Sequence, residues 1–278
     1  RQQTKARERN HIMTKTYNIL ATTILTLAMM IAVGMLTSCN IEIVKNDDKN
    51  DETKVFNVKE FSRIEASVGA SIIYSVSDTT EVKVVSSRRQ IDRLDIETKD
   101  GVLYIGLKNE NPNGGRIVIN NRSKGIKIFI RGPKMEGVAL SGSGEFKTKD
   151  HITAEFFNAR ISGSGWIDID GIKAKTLKAD ISGSGDMDLG CIEATETSLS
   201  VAGSGKIEAE EVNVDMTNIQ IAGSGDIDVD MNDCGTAIVN IAGSGDMKLK
   251  GTVNELNKSV AGSGNINTKD LVIKGGSN

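Results

Sequence analysis

Ile181-Ser-Gly-Ser-Gly-Asp-Met-Asp188 is one of seven versions of a single phrase. An aliphatic residue, then Ser or Ala, then Gly-Ser-Gly recurs with its first glycine at Gly142, Gly163, Gly183, Gly203, Gly223, Gly243 and Gly262, 19 to 21 residues apart. A fixed period near 20 marks a solenoid, in which each unit buries its apolar face only against its neighbours. Before Gly183, Leu177, Ala179 and Ile181 alternate with Lys178, Asp180 and Ser182; after it, Met187 and Leu189 alternate with Asp186 and Asp188. Alternation with period two belongs to strands. The expected fold is all-β, a single-chain parallel β-helix or β-solenoid with about 20 residues per coil.

Both glycines of each corner share the inward parity of Ile181 and Met187. Glycine suits such a place either because a tight bend leaves no room for a Cβ or because it needs positive φ; alternation alone leaves both open. Stacked units, about 4.8 Å apart, would bring like residues over one another. Ser143, Ser164, Ser184, Ser204, Ser224, Ser244 and Ser263 would then form a hydroxyl ladder able to satisfy itself or cap backbone groups. A structural role is expected, since no histidine accompanies it.

Two outward columns follow. The first reads Glu145, Trp166, Asp186, Lys206, Asp226, Asp246, Asn265, and the second Lys147, Asp168, Asp188, Glu208, Asp228, Lys248, Asn267. Neighbouring carboxylates at Asp168, Asp188, Glu208 and Asp228 repel unless screened or shared with a cation. Calcium, which takes many oxygen ligands in loose geometry, is the candidate ion; the plainer reading is a solvated acidic face, and no metal site is assigned. Trp166, the single tryptophan, is a candidate contact for a sugar or a protein, set against ordinary half-buried packing.

Only two histidines exist, His11 and His151, and His151 reads as a turn residue. Stacked acids raise the possibility of a polysaccharide lyase or hydrolase, yet the regular repeats contain no insertion long enough to wall a substrate cleft. No catalytic residue and no cofactor are assigned. Cys191 and Cys234 fall two units apart at different offsets, too far for a disulfide, and read as two buried free thiols.

At the front, residues 1–12 read as an upstream extension ahead of Met13, and residues 13–38 as a signal peptide with an apolar run from Ile19 to Leu36. Leu36-Thr-Ser-Cys39 has the order of a lipobox, and Cys39 resembles the lipidated residue of bacterial lipoproteins. A transmembrane anchor is the competing reading, since 18 residues is the lower limit for spanning a bilayer. Acyl chains on Cys39 would hold the protein on a membrane, and Asn40 resembles the outer-membrane sorting pattern of Gram-negative lipoproteins. Residues 39–54 follow as a lipidated cysteine and a polar tether, because Lys45–Lys54 holds no apolar side chain. Its acids resemble the surface-export signals of Bacteroidetes lipoproteins; which side of the outer membrane the protein faces is left open.

Removing residues 1–38 takes five basic residues and one acid from the 34 and 37 of the whole chain, leaving a charge of −7. An acidic surface argues against nucleic acid as a partner. Residues 55–274 are expected to form the solenoid, with 55–139 as an irregular capping part and 140–274 as the regular repeats. Pro112 and Pro133 are the only prolines, Asn111-Pro-Asn-Gly-Gly115 marks a loop, and no helical stripe appears. The last coil, near Leu271-Val-Ile273, would be an open edge through which a homo-oligomer could form.

The repeated Ile-Ser-Gly-Ser-Gly-Asp-Met-Asp and Ile-Ala-Gly-Ser-Gly-Asp-Ile-Asp, preceded by Phe61-Ser-Arg-Ile-Glu-Ala-Ser-Val-Gly69 and Asp100-Gly-Val-Leu-Tyr-Ile105, resemble the family called putative auto-transporter adhesin, head GIN domain. The family is common among Bacteroidetes lipoproteins, and the likeness runs from about Val55 to Lys274. It implies a β-helix-like fold and a role in adhesion, and supplies no catalytic residues. The first three copies carry Ser before Gly-Ser-Gly and the last four Ala. The function expected is a non-enzymatic, lipid-anchored envelope solenoid binding protein or glycan. A structural protein assembling through coil ends is the alternative, and a polysaccharide-active enzyme stands further behind.

Overall fold

The computed structural model describes the backbone of residues 40–43, 51–108, 116–119 and 125–275, and the side chains of residues 51–108 and 125–275. Residues 13–38, expected as a signal peptide, Cys39, residues 44–50 and the Asn111–Gly115 cluster lie outside the described residues. β1 (Asn40–Ile43) and β8 (Arg116–Ile119) form a parallel pair, a unit by themselves. The other unit runs, in chain order, through β2 (Glu52–Phe56), β3 (Arg63–Ala66), β4 (Ala70–Val76), β5 (Glu81–Ser86), α1 (Arg88–Arg93), β6 (Leu94–Lys99), β7 (Val102–Leu107) and β9 (Ile126–Gly132). It continues through β10 (Gly137–Gly142), β11 (Glu145–Gly163), β12 (Trp166–Gly183), β13 (Asp186–Gly203), β14 (Lys206–Val212), β15 (Met216–Gly223), β16 (Asp226–Gly243), β17 (Asp246–Gly262) and β18 (Asn265–Ile273).

From β10 onward each strand pairs in parallel with its counterpart one unit later, corner on corner: Gly163 on Gly183, Gly183 on Gly203, Gly203 on Gly223. The chain is the β-solenoid of about 20-residue coils that the repeat implies. Inward columns fill it. One runs Phe146, Ile167, Met187, Ile207, Ile227, Met247 and another Ile161, Ile181, Val201, Ile221, Ile241, every member at most 2% exposed. Full burial of such a side chain contributes about 1.5–3 kcal/mol, so each coil is stabilised mainly by the two it touches.

The corner glycines meet both of the needs left open above. Gly163 adopts φ 128°, and a Cβ on it would lie 2.6 Å from the Gly142 carbonyl oxygen. Gly185 has no positive φ, yet a Cβ there would stand 2.6 Å from both the Gly165 carbonyl oxygen and Ile161 Cγ2. The first glycine answers both needs, the bend and the close approach of the coils, and the second answers only the close approach. Between them the Ser184 N–H donates to the Gly163 carbonyl at 2.8 Å, and the same bond recurs from corner to corner.

Two irregular layers precede the regular coils. β3 lies in parallel on β10 and β4 on β11, so residues 61–76 run beneath the first Gly-Ser-Gly coil. β7 and β9 pair in parallel with β3 and β4 and form a layer further out, although they come later in the chain. Antiparallel strands then cover that layer: β6 on β7, β5 on β9, and β2 on β5. Tyr74 and Phe146 stack at 6.3 Å in this part of the core, and the Tyr74 hydroxyl donates to the Gly132 carbonyl at 2.8 Å. Burial pushes the Tyr74 phenol up to about 12.

Three features depart from the sequence reading. A helix does occur, the six residues of α1, N-capped by Ser87, whose Oγ accepts the Gln90 N–H at 3.4 Å. The polar stretch assigned as tether includes β1 and enters β2 at Glu52, where backbone pairing with β5 holds side chains that stay exposed. Cys191 and Cys234 are both free, but only Cys234 is buried; Cys191 is half-buried.

Candidate functional site

The outward face of each coil after the Gly-Ser-Gly corner builds the candidate surface. The pairing register aligns Glu145, Trp166, Asp186, Lys206, Asp226, Asp246 and Asn265 in one column, and Lys147, Asp168, Asp188, Glu208, Asp228, Lys248 and Asn267 in the next. Trp166 is 37% exposed, and the Lys147 ammonium of the preceding coil lies 3.9 Å from its ring centroid. At an exposed site such a cation–π contact is worth about 0.5–1 kcal/mol.

Lysines lace most of the carboxylates. Lys149 bridges Asp168 at 3.7 Å and Asp170 at 2.5 Å, Lys206 bridges Glu208 at 2.5 Å and Asp228 at 3.2 Å, and Lys250 meets Asp230 at 2.9 Å. Asp188 stands between Asp168 and Glu208 in the column with no ion pair among the described residues. Partial burial, then the charges of Asp168 and Glu208, raise its carboxyl above the ordinary aspartate value. With Glu208, Glu210, Asp228, Lys248 and Lys250 it lines an open depression of about 350 Å³. The calcium candidates Asp168, Asp188, Glu208 and Asp228 are thus brought into one column. Among the described residues, however, no group of three or more His, Cys, Asp or Glu side chains is placed to hold a metal ion. Successive coils set the carboxylates in a row, whereas an ion needs them converging.

A second depression of about 230 Å³ lies on another face, rimmed by Arg63, Glu65, Asn158 and Arg160 over Gly137 and Ala139. The corner serines are exposed in all seven copies and make no side-chain hydrogen bond with one another, so the expected hydroxyl ladder is absent. Backbone N–H groups carry the corner instead, because the stacked carbonyls already face them at bonding distance. His151 is a strand residue just after a bulge in β11, with its ring against the Gly171 backbone of the next coil.

The sequence reading missed Glu211. Register puts it in the column of Ile192 and Met231, and it is fully buried. Thr197 Oγ1 donates to Glu211 Oε1 and Thr217 Oγ1 to Oε2, each at 2.6 Å. Burial raises this carboxyl above the ordinary glutamate value, opposed by the two threonine hydrogen bonds. The signal was present: strict alternation from Ile207 through Ala209 makes Glu211 inward, and Thr197 and Thr217 replace the Leu177 type in the facing column.

Solved structures share this architecture. A putative adhesin from Bacteroides fragilis is similar with a TM-score of 0.71 and 23% identity, over 81% of this chain and 98% of that one. A putative lipid binding protein from Parabacteroides distasonis gives 0.68 and 25%, over 83% and 100%. A putative adhesin from Parabacteroides merdae gives 0.65 and 18%, over 83% and 99%. Comparison with curated protein sequences gives no match. The family described as putative auto-transporter adhesin, head GIN domain matches residues 60–234 and 219–275, which takes in the irregular layers and every Gly-Ser-Gly coil. By the reach of that match and by its corners, the chain belongs to the putative auto-transporter adhesin, head GIN domain family.

Proposed function

We propose that this protein is a non-enzymatic adhesin of the cell envelope, anchored in the outer membrane through acyl chains on Cys39 and binding a protein or a glycan through the outer columns of its solenoid. The observation that carries this reading is the in-register outer surface, where side chains recur coil after coil on a rigid, filled support. Such a surface favours many weak, repeated contacts over one deep pocket, the arithmetic by which attachment gains strength. Trp166, in contact with Lys147, offers an aromatic face within that array. Membership of an adhesin-named family agrees with a place in the envelope or at the surface.

Protease treatment of intact cells, beside a periplasmic control and a Cys39→Ala variant, tests the reading. Degradation of the wild type on intact cells, with loss of the variant from the membrane fraction, is expected. Protection until the outer membrane is broken would overturn the adhesin role, and membrane retention of Cys39→Ala would overturn the lipid anchor.

A further inference from the structure

β18 and the second half of β17 form the last coil, and among the described residues no strand pairs with the outer edge of β18. Among the described residues the inward columns end here. Two of them end on apolar residues, Ile241 being followed by Val260 and Met247 by Ile266. A third does not. Ala159, Ala179, Leu199, Ile219 and Val239 are all at 0% exposure, and the residue that follows Val239 in this column is Lys258.

In-register parallel pairing gives Lys258 the side-chain direction of Val239. Its ammonium therefore stands at the open end of the core, with Leu256 and Val260 two residues away on the same face of the strand. It is exposed and has no ion pair or hydrogen bond among the described residues. Around it the coil end is apolar: Val260 and Ile273, on the inward face, are 44% and 43% exposed. An apolar edge with free backbone groups is a template for another strand.

We propose that Lys258 guards this edge, an inward-pointing charge that ends a core column and keeps the last coil from pairing with a second copy of this chain. A strand laid over the edge would bury the ammonium against Leu256 and Val260. No acidic residue holds an inward position beside it to pair with it, and an unpaired buried charge is strongly unfavourable. Two copies meeting through this same edge would each have to bury such a charge, and a two-fold axis passing near Lys258 would bring the two together. On a free edge the ammonium stays hydrated at no such cost. The reading opposes assembly through coil ends and does not depend on the adhesin role.

The test compares the full chain, held in detergent, with Lys258→Ile, Lys258→Glu and Asn257→Ile by sedimentation across a wide concentration range, with circular dichroism to check that each remains folded. Wild type and Lys258→Glu should stay monomeric, while Lys258→Ile rises with concentration to at least the dimer mass. Asn257→Ile adds the same side chain at the neighbouring, outward position and should stay monomeric. A monomeric Lys258→Ile, a wild type that already associates, or equal association of Asn257→Ile and Lys258→Ile would each overturn the proposal.

Discussion

Ser184 and Gly185 are neighbours with opposite tolerance. The serine hydroxyl faces solvent, so Ser184→Ala should shift stability by no more than about 0.5 kcal/mol. Gly185→Ala would drive a methyl into the Gly165 carbonyl and Ile161, and should cost about 1–3 kcal/mol in urea unfolding; a loss under the serine value would show that the coils can spread. Glu211 predicts a pH dependence. Its folded carboxyl titrates above the unfolded value of about 4.3, so the folded state holds the extra proton and stability falls as pH rises from there toward the raised value. The slope for one proton is at most about 1.4 kcal/mol per pH unit. Glu211→Gln removes that slope, and unfolding midpoints of the two proteins should diverge as pH rises, the variant becoming the more stable. Parallel profiles would mean that the threonines already hold the carboxylate ionised.

Between one coil and the next, like charges meet across a strand spacing. Asp188, raised between Asp168 and Glu208, should therefore tolerate neutralisation: Asp188→Asn ought to unfold at slightly higher denaturant at neutral pH, by less than about 1 kcal/mol because the site is largely solvated. The gain should shrink in high salt and at acid pH, where the wild-type carboxyl is protonated. A loss of stability would instead point to a cation held by this column, as would a rise in midpoint on adding calcium; neither is expected from carboxylates set in a row. The element level is also where the sequence was most and least legible. Gly-Ser-Gly spacing located each corner, and alternation from Ile181 and Ile207 placed both outer columns correctly. It could not reveal that β7 and β9 lie outside β3 and β4, because residues 55–139 contain no repeat to set one strand over another. α1, with six residues, is too short to show a helical period, and the bulge after Leu189, which shifts that coil's register against Glu210 and Glu211, has no repeat signal in the sequence.

Over the whole molecule, stability should vary along the axis. A coil flanked on both sides buries its columns almost completely, whereas the last coil leaves Val260, Val272 and Ile273 exposed. In a stack held by nearest neighbours the ends open first, although the Lys274–Asp233 ion pair fastens this one. Amide hydrogen exchange should thus be slowest in β12 and β13 and faster in β18; equal protection from end to end would mean that the coils open only together. The alignment of Gly163, Gly183, Gly203 and Gly223 carries one more consequence, for inheritance. Each unit is interchangeable with the next at its corner and in the strand segments that flank it, so an unequal crossover between two repeats in the gene would add or delete a coil while keeping those columns in line. The protein would grow or shorten by about 4.8 Å per event, its first layers and its last coil untouched, and a lineage could change the reach of its surface by counting repeats before it changed a single residue.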